Sequence, residues 1–287
     1  MAKEIKSIAL IYFSATDVTR TYARVMCEHL LSSGCTVKCY DVTAYQARQI
    51  ILPIEDFDAF IFGFPVFADF APSVINEWLP TLNGRGKPCV QFFTYGARST
   101  GHAHFHTHLL LEQAGFKVLC SAEFLGRHTY NIAGWHVLPD RPNEVDFLVA
   151  RSYVELALEK FSMDTPKQLV LQKPFGYNRA MDVLQQAIAP TERGWTNPVR
   201  VQESCGMCRL CEEECPTQAF NADTGLSDPA LCIKCMRCVY VCPEHVLAVD
   251  PRMEGVYANF LADWHLTDAI MNGKQSRIIT EPWQTAA

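Results

Sequence analysis

The sequence has no run of ~18 uncharged apolar residues, so no segment of it is expected to cross a membrane as a helix. It has no Gly-x-Gly-x-x-Gly following a strand, which argues against a dinucleotide-binding fingerprint. It also lacks a phosphate-binding P-loop, a Gly-x-Ser-x-Gly elbow and any Ser-His-Asp pattern, so nucleotide hydrolysis and serine acyl transfer have no machinery to run on. Positive charge is short: 25 Lys and Arg stand against 31 Asp and Glu, for a net charge of −6. Nucleic acid and anionic membrane surfaces are therefore poor partners. The opening Met1-Ala2-Lys3-Glu4-Ile5-Lys6 turns acidic within four residues and leads into an apolar strand, unlike a signal peptide. The expected address is the reducing cytoplasm, where free thiols persist.

Cysteine, by contrast, is plentiful. Eight of the 13 fall within 38 residues, in two near-copies of one pattern: Cys205-x-x-Cys208-x-x-Cys211-x-x-x-Cys215-Pro216 and Cys232-x-x-Cys235-x-x-Cys238-x-x-x-Cys242-Pro243. This is the bacterial iron–sulfur spacing, in which the fourth cysteine of each run serves the other cluster. Three thiolates spaced by two residues wrap one corner of a cubane, and the fourth, held by a proline, points away. The expected ligand sets are Cys205, Cys208, Cys211 and Cys242 for one [4Fe–4S] cluster, and Cys232, Cys235, Cys238 and Cys215 for the other. Structural zinc normally pairs two Cys-x-x-Cys halves without a third cysteine in step, and disulfides need an oxidising compartment. Residues 200 to 250 resemble the two-cluster bacterial ferredoxins. Cys27, Cys35, Cys39, Cys89 and Cys120 have no ligand spacing and are expected to be buried, inert thiols.

The first 160 residues alternate apolar runs with helical patterns. Strands are expected at 8–13, 36–41, 59–64, 88–95 and 117–124, and helices at 19–31, 73–79, 103–114 and 143–161. Five buried strands with crossover helices make a parallel sheet covered on both faces. In such sheets ligands sit beyond the carboxyl ends of the strands, and with strand order 2-1-3-4-5 the ligand is FMN in one well-known fold.

Residues 5 to 160 resemble flavodoxin at the corresponding loops. Tyr12 to Thr19 resembles the family's phosphate loop, which implies Ser14, Thr16, Asp17, Val18 and Thr19 as phosphate-holding positions. Ala15 and Asp17 depart from the small or glycine residues usual there, and a carboxylate at Asp17 must turn away from a phosphate. Pro65, Val66, Phe67 and Ala68 resemble the second flavin loop, with Phe67 the candidate to stack on the ring. Thr94, Tyr95, Gly96 and Arg98 resemble the third, at the pyrimidine edge. The resemblance implies an α/β, flavodoxin-like domain over residues 1–162 and a small ferredoxin-like α+β domain over 199–250. A linker or adaptor at 163–198, punctuated by Pro166, Pro174, Pro190 and Pro198 and carrying a short helix at 178–188, joins them. A helical tail at 251–287 has an amphipathic stretch over 256–271 and is expected to pack back on a domain.

His102, His104, His106 and His108 alternate just after the third loop, with His104 and His108 on one helical face and His102 and His106 on another. This spacing can chelate a metal or relay protons, but the favoured reading is exposed or partly packed histidines. Residues 201–250 hold eight acids against three bases, so most of the excess negative charge sits on the cysteine-rich segment. The combined reading is an electron-transfer protein. It passes low-potential electrons between FMN, two [4Fe–4S] clusters and a redox protein partner with a basic docking face. The alternative is an FMN-dependent reductase acting on a small molecule, walled by Phe64, Phe67, Phe70, Tyr95, His102 and His128, with a histidine or Tyr95 as proton donor. A third reading makes the clusters purely structural.

Overall fold

The computed structural model describes residues 5–186, 197–249 and 253–280. Its centre is a sheet of five parallel strands: β1 (Ser7–Tyr12), β2 (Thr36–Asp41), β3 (Ala59–Pro65), β4 (Pro88–Tyr95) and β5 (Lys117–Leu125). Their order is β5-β4-β3-β1-β2, the expected 2-1-3-4-5 arrangement of the flavodoxin-like fold. Ile8 to Ile11 of β1 and Ala59 to Phe64 of β3 are buried throughout, since central parallel strands are covered on both faces. β2, at the edge, is largely half-exposed. Cys39 on β2 is exposed and Cys27 half-buried, which corrects the expectation that all five spare thiols are interior; Cys35, Cys89 and Cys120 are buried.

The covering helices are α1 (Val18–Ser32), α2 (Ser73–Trp78), α3 (Ala103–Gln113) and α4 (Glu144–Ser162). Tyr22, Met26 and Leu30 of α1 meet Tyr153, Val154 and Ala157 of α4 over Leu10, Ile61 and Phe92. On the other face Ile75 and Trp78 of α2 and Leu111 of α3 cover Ile11, Phe62 and Phe93. Each fully buried phenylalanine contributes about 1.5–3 kcal/mol.

After α4 the chain stays attached to the sheet: the N–H of Leu169 donates to the carbonyl of Val118 at 2.8 Å, and Leu169 is buried. The helix expected at 178–188 is α5 (Tyr177–Gln186); positions 187 and 188, Pro190 and Gly194 lie outside the described residues, as do Met1–Glu4 and Asp250. The cysteine-rich module follows, built from β6 (Val199–Arg200), α6 (Leu210–Glu213), β7 (Phe220–Asn221), β8 (Leu226–Ser227), α7 (Arg237–Val241) and β9 (Leu247–Ala248). β6 pairs with β9 and β7 with β8, both antiparallel. Its buried core is small: Cys215, Ala219, Phe220, Cys238, Cys242, Val246 and Leu247.

The tail departs from the purely helical expectation. The single stretch at 256–271 is two helices, α8 (Met253–Asp263) and α9 (Asp268–Gly273), the second capped by the Thr267 side chain. The chain then forms β10 (Arg277–Ile279), which pairs antiparallel with β5 and makes the sheet six-stranded. Three residues with two of them apolar carry too little periodicity to read as a strand; the register on β5 and the Arg277–Glu123 ion pair at 2.6 Å hold it there. No described helix is long and apolar enough to cross a membrane.

Candidate functional site

The loop from β1 to α1 turns on Asp17, whose left-handed backbone (φ 65°) starts the helix without a glycine. Of the hydroxyls expected to face a ligand, two are used internally. Ser14 Oγ accepts the N–H of Arg20 at 3.1 Å, and Thr19 Oγ1 lies 2.8 Å from Thr94 Oγ1, tying the first loop to the third. Thr16 Oγ1 lies 3.5 Å from Thr129 Oγ1. Among the described residues, no acceptor is found for the backbone N–H groups of Ala15, Thr16, Asp17 and Val18. Four such donors at a helix start suit a phosphate. The Asp17 carboxylate turns out of this cradle: it lies 2.7 Å from Arg20 Nη1 and 3.8 Å from Arg237 Nη1, and accepts from the Tyr240 hydroxyl at 2.9 Å. The departure at Asp17 is thus a contact with the cysteine-rich module, not a charge aimed at a phosphate.

The second loop leaves β3 at Pro65, and the N–H of Val66 donates to Thr94 O at 2.9 Å. Phe67 and Phe70 pair through both backbone bonds, at 2.7 and 3.0 Å, closing a tight turn with Ala68 and Asp69 at φ 46° and 73°. Phe67 meets Phe13 edge to face at 6.3 Å. Asp69 receives Arg98 Nη2 at 2.5 Å, and the Arg98 guanidinium lies 3.7 Å over the Trp264 ring. Tyr95 is buried, and burial together with the Glu123 carboxylate pushes its hydroxyl well above its ordinary range. It is therefore a poor proton donor near neutral pH.

The module's thiols sort into two neighbourhoods. Burial pushes Cys235 up to about 12, with the Cys215 and Cys232 thiols adding to the rise; Cys238 is raised by burial and then by Cys235, Cys232 and Cys215. Cys211, pushed up to about 11 chiefly by burial, has Cys208 and Cys242 as its thiol neighbours. These groupings cross the two sequence runs as the expected ligand sets do, and all eight cysteines are free of disulfides. Cys208 is exposed, whereas Cys215, Cys235 and Cys238 are buried.

Two buried arginines fasten the module to the sheet. Arg48 gives Nη1 to the carbonyls of Val42 (2.7 Å) and Thr43 (2.9 Å), and Nη2 to the carbonyl of Pro216 beside Cys215. Arg237 binds Glu214 at 2.6 Å and reaches the Ala15 carbonyl of the first loop at 3.3 Å. Neither is legible by spacing, because their partners are carbonyls and carboxylates from distant segments. Tyr130 adds a third link, its hydroxyl donating to Lys234 O at 3.4 Å; burial first, and then the Cys232 and Cys235 thiols, push that hydroxyl above its ordinary range.

Between these parts lies a cavity of about 2220 Å³. All three loops open into it, through Ser14, Thr16, Phe67, Thr94, Gly96 and Arg98; the module contributes Pro216, Thr217, Cys232, Ile233 and Lys234, α8 contributes Phe260, and Trp264 follows that helix. The volume exceeds the roughly 300–1000 Å³ usual for a single small-molecule site.

Three of the histidines after the third loop, His104, His106 and His108, are more buried than expected, while His102 is half-buried as expected. His104 is 2 % exposed, with Nδ1 2.6 Å from Ser121 Oγ and Nε2 3.4 Å from Glu123; His106 Nδ1 lies 2.7 Å from the Tyr177 hydroxyl; His108 lies 3.3 Å from Glu112. One face of α3 turns His104 onto β5, and another turns His106 onto α5. Among the described residues no three His, Cys, Asp or Glu side chains gather as a single-ion site. Burial lowers His106 and His128 from 6.5 to about 4, with the His102 and Arg98 charges acting in the same direction. The folded protein keeps both rings neutral where the unfolded chain protonates them. Stability is therefore expected to fall as pH drops from about 6.5 to about 4, then to level off. Thermal melts across that window will show it, with a shallower slope in His106→Phe.

Residues 226–247 match the family model of a 4Fe-4S binding domain, a span that holds Cys232, Cys235, Cys238 and Cys242. No curated protein matches the chain in sequence. Among solved structures it is similar to a flavodoxin from the domain Archaea (16 % identity, 55 % of this chain and 99 % of that one, TM-score 0.41). A flavodoxin of Streptococcus pneumoniae is similar over 54 % of this chain and 99 % of its own (14 % identity, TM-score 0.42). Rubredoxin oxygen:oxidoreductase of Desulfovibrio gigas is similar over 56 % of this chain but 37 % of its own length (17 % identity, TM-score 0.42).

Proposed function

We propose, for a chain that joins a flavodoxin-like sheet to a 4Fe-4S binding domain, that it carries electrons between two [4Fe–4S] clusters, an FMN and a redox protein partner in the cytoplasm. The observation that carries this reading is the shared cavity: Cys232 and its neighbours form one wall, and the three flavin-type loops form the others. Cubanes exchange single electrons and a bound flavin one or two, so the pair would gather or divide charge between carriers.

The chain's own residues supply the setting. The N–H groups of Ala15 to Val18, without an acceptor among the described residues, suit the FMN phosphate, with Thr16 beside them; Pro65, Val66, Phe67 and Ala68 and the stretch Thr94, Tyr95, Gly96 and Arg98 suit its ring. Cys215, Cys232, Cys235 and Cys238 suit the buried cluster next to the cavity. Cys205, Cys208, Cys211 and Cys242 suit the outer one, and the exposure of Cys208 supports that side as the one offered to a partner. Arg48 and Arg237 hold the module against the first loop and so set the spacing between centres. The acidic surface of the module favours a basic partner.

The size of the cavity also favours a second reading, in which a small molecule enters beside the flavin and is reduced there. The first test is anaerobic reconstitution followed by iron, sulfide and flavin analysis. About eight irons and one FMN per chain are expected, and dithionite should reduce the clusters with the flavin following. Clusters that reduce without equilibrating with flavin would sink the electron-carrier reading.

A further inference from the structure

His128 stands just beyond β5, outside the three loops that resemble flavodoxin's, and its environment settles both its charge and its tautomer. Nδ1 accepts the backbone N–H of Tyr130 at 3.1 Å, so the proton of the neutral ring sits on Nε2. The ring stacks on Trp135 (4.8 Å, 22°) and faces Tyr130 at 5.7 Å, which fixes its plane. Its Cδ2 edge lies against Gly96 of the third loop, so closely that a Cβ there would come within 2.8 Å of it. No side chain other than glycine allows the imidazole this approach. Among the described residues Nε2 has no hydrogen-bond partner, and His128 lines the same cavity as Thr94, Gly96 and Arg98. A neutral donor with a locked plane, held on the loop that takes a flavin's pyrimidine edge, has a definite use.

We propose that His128 Nε2–H donates a hydrogen bond to the flavin at the edge held by Thr94–Arg98, and thereby favours the reduced cofactor. This rests on the FMN reading above. Reduction places negative charge on the pyrimidine portion of the ring, so a donor there binds the reduced form more tightly than the oxidised one. Arg98, 3.7 Å above Trp264 and paired with Asp69, is the charged group facing the same place and adds to the bias. His128 is in this sense a positioning and tuning residue, and nearby burial keeps it neutral across the working pH range.

The experiment uses the full, cluster-loaded chain as wild type, His128→Phe and His128→Gln, titrated with FMN by fluorescence and then reduced stepwise at equilibrium. Phe keeps the aromatic stack and removes the donor; Gln keeps a donor and gives up the stack. His128→Phe is expected to bind FMN roughly tenfold more weakly and to hold the flavin at a lower reduction potential, with iron content kept. His128→Gln should recover part of the potential. A His128→Phe protein with wild-type affinity and potential would overturn the proposal while leaving FMN binding intact. A wild type that binds no FMN would overturn the flavin reading itself, and this proposal with it.

Discussion

Cys235→Ser is expected, on the two-cluster reading proposed above, to lower the iron content from about eight to about four or fewer atoms per chain and to unravel the cysteine-rich module as well. The reason lies in what that module has to fold around. Its buried apolar side chains are Ala219, Phe220, Ala222, Met236, Val246 and Leu247 plus four of the cysteines, far too few to outweigh the conformational entropy of some fifty residues at roughly 1–2 kcal/mol each. Its strands are two residues long. The metal–sulfur bonds have to make up the difference, as they do in other small metal-held domains. The same variant also withdraws the wall formed by Cys232 and Ile233 from the cavity. Iron analysis and limited proteolysis of residues 199–249 will report the outcome. Full iron content with a protease-resistant module would mean that Cys235 is no ligand.

The largest expected effect on the sheet domain comes from Asp146→Ala. Asp146 is fully buried at the start of α4; its carboxylate takes both Arg141 Nε and Nη2, the Asn143 N–H at 3.0 Å and the Ser276 hydroxyl at 2.6 Å. Asn143 in turn caps the helix by accepting from Val145 and Asp146, a reciprocal capping box. Ser276 also accepts the N–H of Leu125, so one carboxylate joins the helix start, the end of β5 and the tail. Its loss leaves the Arg141 guanidinium, whose side chain is 15 % exposed, without its counter-charge. Removing one partner of a buried pair costs about 3–5 kcal/mol. Denaturant unfolding is the measurement, and a loss below ~1 kcal/mol, the worth of a surface pair, would refute the account.

Much of the fold was legible because its strands are buried on two sides. Continuous runs such as Ala59-Phe60-Ile61-Phe62 have no amphipathic ambiguity, and each is followed by a turn and a helix, which forces a parallel order. The three loops were legible for a related reason: residues at the carboxyl ends of such strands converge on one place wherever the chain goes afterwards. The 4Fe-4S character of the segment holding Cys232, Cys235, Cys238 and Cys242 was legible by spacing alone. What stayed hidden depends on contacts across long separations in the chain. Arg48 reads as an ordinary surface arginine until Pro216 is brought beside it, and Asp17 reads as a poor phosphate-loop residue until Tyr240 and Arg237 arrive. His104 belongs to a buried network with Ser121 and Glu123 that a helical wheel cannot reveal. His128 acquires its role only through Gly96 and Tyr130.

The return of the chain to pair along β5 has a mechanical meaning. An electron-transfer domain hung from one flexible leash can wander to a distant acceptor and back. Here the segment bearing the thiols is leashed twice, once through Leu169 on the sheet and once through β10 on its outer strand. Two such attachments restrain excursions of that segment, so on the electron-carrier reading proposed above a partner would have to dock where the module already sits.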